Sequence, residues 1–421
     1  MGNSTANIGG AAPPAQASGW APLIVTLFAL YAVLCSYLRF QRRDAMHKKL
    51  GFTNGKSLSR MTVIEAQSIV QYLGQLEFPK LYYTSVQFAL FKTYGIPTIS
   101  GLLMATREFS TTENASKRYS DTEILIQEFT FHHPENERVH KAIARMNYIH
   151  SGYQKAGKIS NADLLYTLSV FITEPITWVK KYEWRSMTDM EICAIGVLWK
   201  SIGDAMGIQY EGYLSKSLWK DGLEFYEDIS AWAEQYEQKY MVPAESNRKL
   251  ANELLPLLLF FVPKSAEVAA RNIVGCLMGE RLCKAMIYPA PTKGFARLAS
   301  VIFATRAFVL RYLSPPRPEF LRVSHFTDAD PKTGRYHWKT YLVQPMYNKP
   351  GFMNRWGPEA WFVKAFGGSV PGDKGKTFCP EGYKIEEMGP KGMKKGLAEM
   401  KATEQRLKTE RPLGCPFAFA A

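Results

Sequence analysis

One histidine lies on the apolar face of a predicted helix at residues 137–156. Apolar residues recur there at spacings of three and four, which places them on one helix face. The stripe consists of Val139, Ile143, Met146, His150 and Tyr153. The His150 imidazole therefore points toward the core, as a packed, hydrogen-bonded side chain or as an axial ligand of haem iron, for which neutral imidazole is a common donor.

A second predicted helix begins its inward-facing stripe with a cation. Arg118, Thr122, Leu125 and Phe129 follow the same helical spacing. Burying an unpaired guanidinium is strongly unfavourable, so Arg118 requires an anion. A buried Asp or Glu is one possible partner. A haem propionate is the other, because a guanidinium binds a carboxylate in bidentate fashion and the Thr122 hydroxyl adds a second donor.

The pair Arg118 and Thr122, followed by His150, resembles the signature of the haem-containing latex-clearing proteins, or rubber oxygenases. Other segments are similar to the fungal MpaB branch of that family, which is bound to the endoplasmic reticulum (ER). These segments are residues 75–100, 117–122, 150–168, 193–208, 239–243, 308–318 and 354–361. The resemblance covers nearly the whole chain, including the apolar run near its N-terminus.

The resemblance implies an oxygenase with haem b and O2, in which His150 is the axial iron ligand and Arg118 and Thr122 orient the cofactor. It also implies oxidative cleavage of a C=C bond in the prenyl, farnesyl-type side chain of a meroterpenoid of fungal secondary metabolism. The prenylated small molecule is then the substrate, and the ER membrane is the partner.

Two positions depart from the rubber-oxygenase pattern. Arginines expected three residues before and four residues after the histidine are Asn147 and Gln154 here. Arg145 is the candidate replacement for a cofactor contact, although it projects from a different part of the helix. The resemblance also implies a distal acid or base. Glu77, in a loop-like segment, is a weak candidate, so the catalytic residue stays unknown.

A function from another class also fits these residues, namely a haem-free protein that binds or transfers isoprenoid lipids at the ER membrane. In that case Arg118 would pair with a protein carboxylate, and His150 would be packed without room for a macrocycle. The sequence leaves this alternative open.

The first charged residue of the chain is Arg39, and residues 20–38 form an uncharged, mainly apolar run. About 20 residues suffice for a helix to cross a bilayer. Basic residues crowd the C-terminal flank of the run, which predicts a lumenal tail at 1–19, a single transmembrane helix at 20–38 and a cytosolic catalytic domain at 39–421. The sequon at Asn3 would then be a candidate glycosylation site.

The net charge of +14 is scattered along the chain and indicates attraction to anionic lipid headgroups rather than to nucleic acid. Six cysteines form no CxxC pair, which is typical of reduced thiols in a cytosolic domain. Helical periodicity predicts a mainly α fold, with the transmembrane helix followed by one large globin-like domain and an irregular C-terminal wrap. The predicted helices are 61–76, 84–91, 120–132, 137–156, 161–172, 188–207, 218–240, 248–261, 265–287, 294–313 and 391–408.

Overall fold

The structure is a computed structural model that describes residues 20–106, 112–341, 344–390, 393 and 396–417. Its α-helices are α1 (Ala21–Leu50), α2 (Gly55–Leu58), α3 (Val63–Tyr72), α4 (Pro79–Thr93), α5 (Pro97–Ala105), α6 (Thr112–Phe131), α7 (Glu137–Lys155), α8 (Asn161–Tyr182), α9 (Asp189–Ala205), α10 (Gly222–Tyr240), α11 (Glu245–Leu258), α12 (Glu267–Ala285), α13 (Lys293–Phe308), α14 (Phe352–Trp356), α15 (Pro358–Ala365) and α16 (Leu397–Glu410). Within the described ranges, β-structure is limited to two isolated bridges, Phe326 with Trp338 and Tyr336 with Tyr383. The prediction of a mainly α chain is confirmed.

Two helices that build the centre of the fold begin at capping boxes. At α3 the Thr62 side chain accepts from the Glu65 amide, and the Glu65 carboxylate accepts from the Thr62 amide. Thr188 and Glu191 form the same reciprocal pair at α9. These bonds satisfy amides that the first helical turn leaves without partners.

The central helices pack around one large hydrophobic core, which extends from Phe52 to Phe417. α4 packs along α8, α3 along α9, and α9 against α10. The α9–α10 crossing brings the two backbones into contact, because a Cβ atom on Gly196 would lie 2.2 Å from the carbonyl oxygen of Gly222. Both glycines are therefore required for this close approach.

The apolar run predicted at 20–38 lies within α1 except for Trp20, which is the N-cap residue, and the helix continues through the basic flank to Leu50. Within the described residues, α1 is the only single helix long and apolar enough to cross a bilayer. Its N-terminal half is exposed, while Cys35 and Arg39 are buried against the domain. The predicted tail at 1–19, with Asn3, lies outside the described residues.

An ionic network attaches α1 to the domain. Glu77 accepts from Arg42 of α1 at 2.6 Å and from Tyr72 at 2.9 Å, and it also pairs with Arg185 at 3.0 Å. Arg185 in turn pairs with Glu191 at 2.7 Å. The loop placement of Glu77 is wrong, because residues Leu73–Glu77 form a π-helical turn and the Glu77 side chain is fully buried.

The C-terminal part departs from helical periodicity, as predicted. After the π-helical turn Val309–Leu313, the described chain forms turns and the two short helices α14 and α15 before α16. The helix predicted at 391–408 begins only at Leu397, following Gly396 at φ +91°. The helix predicted at 265–287 is interrupted at Gly279, where φ is +73°. Glycine tolerates this left-handed backbone, and periodicity does not reveal the break.

Candidate functional site

The predicted haem-contacting face of α6 and the histidine face of α7 meet at one cavity. The cavity has an empty volume of about 1280 Å3, including its opening to solvent. Its walls are largely apolar: Leu90, Ile99, Leu102, Leu103, Ile126, Phe129, Met146, Ile149, Ile159, Leu164, Leu168, Phe171, Met206 and Ile208. The lining therefore suits an apolar ligand or cofactor.

Arg118 and Thr122 lie on the α6 wall of this cavity. One helical turn separates them, and a guanidinium nitrogen of Arg118 donates to the Thr122 hydroxyl, which also donates to the Arg118 carbonyl at 3.0 Å. No Asp or Glu of the described residues lies within salt-bridge distance of Arg118. The neighbouring Lys117, by contrast, pairs with the buried Asp121 at 2.5 Å. The Arg118 side chain therefore lines an apolar cavity without an anionic protein partner among the described residues.

His150 reaches the same cavity from α7, together with Met146 and Tyr153 of its predicted stripe. Burial lowers the pKa of His150 to about 4, and the positive charge of Arg118 acts in the same direction. The ring is therefore neutral near pH 7, which is the form that binds a metal. Among the described residues it has no hydrogen-bond partner. Its partly exposed surface borders this cavity and a second one behind it.

Arg145 is not brought to this cavity. It is fully buried on another side of α7, where Nε donates to the Met388 carbonyl at 2.6 Å and Nη1 donates to the Met393 carbonyl at 2.8 Å. The prediction of a cofactor contact at Arg145 therefore finds no support in its position. Its guanidinium therefore attaches the C-terminal segment around Met388 and Met393 to α7.

Asn147 and Gln154, which replace the expected arginines, line the second cavity behind His150. The Asn147 amide donates to the Ala205 carbonyl at 3.0 Å. The described residues that line this second cavity also include Arg411, whose guanidinium donates to the Ser201 hydroxyl at 3.0 Å. Each of the two cavities that His150 borders thus has an arginine in its lining, Arg118 in the main cavity and Arg411 in the second, although the arginines expected at positions 147 and 154 are absent.

Asp163 is a cavity residue that the sequence analysis missed. It is the one carboxylate among the described residues that line the main cavity. Its oxygens accept from Thr98 at 2.7 Å, from Tyr236 at 2.9 Å and from Ser160 at 2.7 Å. The sequence contains only a capping signal at this position, the S-x-x-D spacing from Ser160, and that signal says nothing about the cavity.

A metal held by protein side chains alone has no obvious place in the described part of the chain. No group of three or more His, Cys, Asp or Glu side chains is arranged to hold an ion there. A cofactor that carries its own iron needs only one axial protein ligand and partners for its acidic groups. The described part of the cavity offers what a haem would require, namely the imidazole of His150, the guanidinium of Arg118 without a carboxylate partner there, and apolar walls.

Comparison with known proteins identifies the family of the chain. It is 44% identical over 406 residues to the "ER-bound oxygenase mpaB'" of Penicillium brevicompactum, covering 96% of each protein. It is 41% identical over 384 residues to the "ER-bound oxygenase mpaB" of the same organism, covering 91% of this chain and 92% of the relative. The chain belongs to the ER-bound oxygenase mpaB family.

A further mpaB relative, from Penicillium roqueforti (strain FM164), is 42% identical over 270 residues, which are 64% of this chain and 91% of that protein. No protein-family model matches the chain. The mpaB relatives are named ER-bound, and α1 of this chain is long and apolar enough to cross a membrane. The relation to the latex-clearing proteins stays a prediction.

Proposed function

We propose that the protein is a haem b oxygenase of the ER membrane that cleaves a C=C bond in the prenyl, farnesyl-type side chain of a meroterpenoid. The main support is the meeting of His150, Arg118 and Thr122 at one apolar cavity, with no carboxylate of the described residues paired to Arg118. The names of the mpaB relatives support oxygenase chemistry at the ER.

Each of these side chains has a role in the proposal. His150 would hold the haem iron through its imidazole, kept neutral by its burial. Arg118 and, once its hydroxyl turns away from the Arg118 carbonyl, Thr122 would bind a carboxylate of the cofactor and so fix its orientation. The apolar walls exclude water and accept the hydrocarbon side chain of the substrate. A haem in this position would supply the iron at which O2 is activated.

The membrane anchor supports a prenylated substrate. A farnesyl-type chain partitions into the bilayer, because each buried CH2 group contributes about 0.8 kcal/mol. Tethering the cavity to the same membrane raises the effective concentration of such a substrate. We further propose a single span with the N-terminal tail in the lumen and the catalytic domain in the cytosol, following the basic residues that flank the apolar run.

The haem-free lipid-binding alternative receives less support. It requires a protein carboxylate at Arg118 and a tightly packed His150. Instead, the described residues offer Arg118 no carboxylate within salt-bridge distance, and His150 borders a cavity with an empty volume of about 1280 Å3. The alternative would also leave the neutral imidazole without a role.

The test is turnover by the full chain in membranes, produced with ample haem. We expect a prenylated aromatic substrate to be shortened to a carbonyl or acid product that carries an oxygen atom from 18O2. His150→Ala should abolish product formation, while His133→Ala, which changes an exposed histidine before α7, should retain it. An O2-dependent product that survives His150→Ala would contradict the proposed ligand.

A further inference from the structure

α13 and the π-helical turn Val309–Leu313 form a largely exposed apolar helix on the surface of the domain. Only Ala299 of α13 is buried. Five large apolar side chains are between 39% and 61% exposed: Leu298, Val301, Ile302, Phe308 and Val309. Successive residues of this set are three, one, six and one positions apart in the sequence, which places all five on one side of the helix. A soluble surface helix normally turns such a stripe toward the core, so this stripe requires a partner outside the chain.

The residues around the stripe are strongly basic. Between positions 293 and 322 the chain has six basic residues, namely Lys293, Arg297, Arg306, Arg311, Arg317 and Arg322. Glu319 is the single acidic residue in this range. Lys293 and Arg297 lie on a side of α13 adjacent to the apolar stripe, and both are exposed. An apolar face beside a basic face is typical of a helix that lies in the headgroup region of a bilayer.

The same segment is attached to α1 at the level of its apolar run. The Tyr31 hydroxyl donates to the Leu313 carbonyl at 3.1 Å, and Arg39 Nε donates to the Ser314 carbonyl at 2.9 Å. Tyr31 precedes the first charged residue, Arg39, by eight positions, or about 12 Å of helix rise. Side chains on a helix lean toward its N-terminus. Along the helix axis, the Tyr31 hydroxyl therefore lies at least as far from Arg39 as the Tyr31 backbone does.

We propose that α13 is a second membrane-contacting element, which lies in the leaflet on the Arg39 side of the bilayer beside α1. Its apolar stripe enters the acyl chains, and its basic side binds anionic headgroups. This element holds the domain at a fixed orientation on the membrane rather than leaving it on a single tether. The proposal rests on exposure and on contacts with α1, and it is independent of the cofactor.

The test uses the full chain reconstituted in bilayer nanodiscs that contain an anionic phospholipid. A photoreactive benzoylphenylalanine replaces Val301, with Leu27 of the α1 apolar run as the positive control and Gln405 on the exposed side of α16 as the negative control. All three positions are exposed, so the substitutions leave the core intact, which circular dichroism checks. After illumination, mass spectrometry identifies adducts between protein and lipid.

We expect acyl-chain adducts at positions 301 and 27 and none at position 405. Replacing Val301 and Ile302 together by Glu in the full chain should weaken the contact of α13 with the bilayer. Hydrogen exchange on nanodiscs should then be faster for the α13 amides and unchanged for the α16 amides. Adducts at position 27 without adducts at position 301 would overturn the proposal. Cross-linking of position 301 to a second protein chain would overturn it as well, since the stripe would then be an interface between chains.

Discussion

Replacing Arg118 by Met tests the role of the unpaired cation in the cavity. Met retains most of the apolar stem and removes the charge. The guanidinium donates to Thr122 and has no carboxylate partner among the described residues, so it is available to an anionic ligand. Hydrogen bonds to charged groups contribute about 1.5–3 kcal/mol each. A loss of about 2–3 kcal/mol would raise the haem dissociation constant by roughly 30- to 150-fold.

The stability of the haem-free protein should not fall with the affinity for haem. Because Arg118→Met removes a partly buried charge that no described carboxylate compensates, the free energy of unfolding should stay constant or rise slightly. Lys117→Met is the matched control on the same helix. It deprives Asp121, whose side chain is 2% exposed, of its ion-pair partner at 2.5 Å. Loss of this pair should cost about 1–3 kcal/mol, because Asp121 keeps its hydrogen bonds from the Tyr347 hydroxyl and the Gly389 amide, while the affinity for haem should not change.

The assays are a haem titration followed by the Soret absorbance and denaturant unfolding of the haem-free protein followed by circular dichroism. Thr122→Val is the isosteric control for the hydroxyl, with an expected loss of about 0.5–1.5 kcal/mol in haem binding. The reasoning is refuted if Arg118→Met leaves haem affinity unchanged and destabilises the haem-free fold as Lys117→Met does. That result would indicate a carboxylate partner for Arg118 within the protein.

Three further predictions concern the fold. Glu77→Gln should lower the free energy of unfolding by about 3–5 kcal/mol, because it leaves Arg42 and Arg185 without their shared buried carboxylate. The control Asp44→Asn, which removes an exposed ion pair, should lower it by at most about 1 kcal/mol. Burial lowers the pKa of His325 from 6.5 to about 4, so its contribution to stability is present above pH 6.5 and is lost as the pH falls toward 4. That loss is on the order of 3 kcal/mol, and His325→Phe should flatten the corresponding part of a plot of unfolding free energy against pH. Gly196→Ala should destabilise the fold by about 1–3 kcal/mol or more in thermal unfolding, because its Cβ would collide with the Gly222 carbonyl. The control Gly101→Ala, whose Cβ would have no neighbour within 4 Å, should leave the stability unchanged.

The helices and their inward faces could be predicted because they depend on local spacing. The α7 stripe brings Met146, His150 and Tyr153 to one cavity, and the α6 stripe brings Arg118 and Thr122 to the same cavity. The capping boxes at α3 and α9 depend on equally local spacing, because each joins residues three positions apart.

Features set by tertiary contacts could not be read from spacing. Glu77 resembled a loop carboxylate because its partners, Arg42 and Arg185, are 35 and 108 residues away in the chain. Asp163 reaches the cavity through the packing of α8 against α4 and α10, and sequence spacing shows only its capping role. Arg145 is occupied by carbonyls more than 240 residues further along the chain.

The most direct test of the central proposal is the visible absorption spectrum of the detergent-purified full chain, produced with ample haem, beside its His150→Ala variant. The proposal predicts a Soret band in the parent protein that is lost or shifted in the variant, while both proteins give the same far-ultraviolet circular dichroism. A folded, haem-supplied parent without a Soret band, or an identical band in both proteins, would contradict the assignment of His150 as the iron ligand.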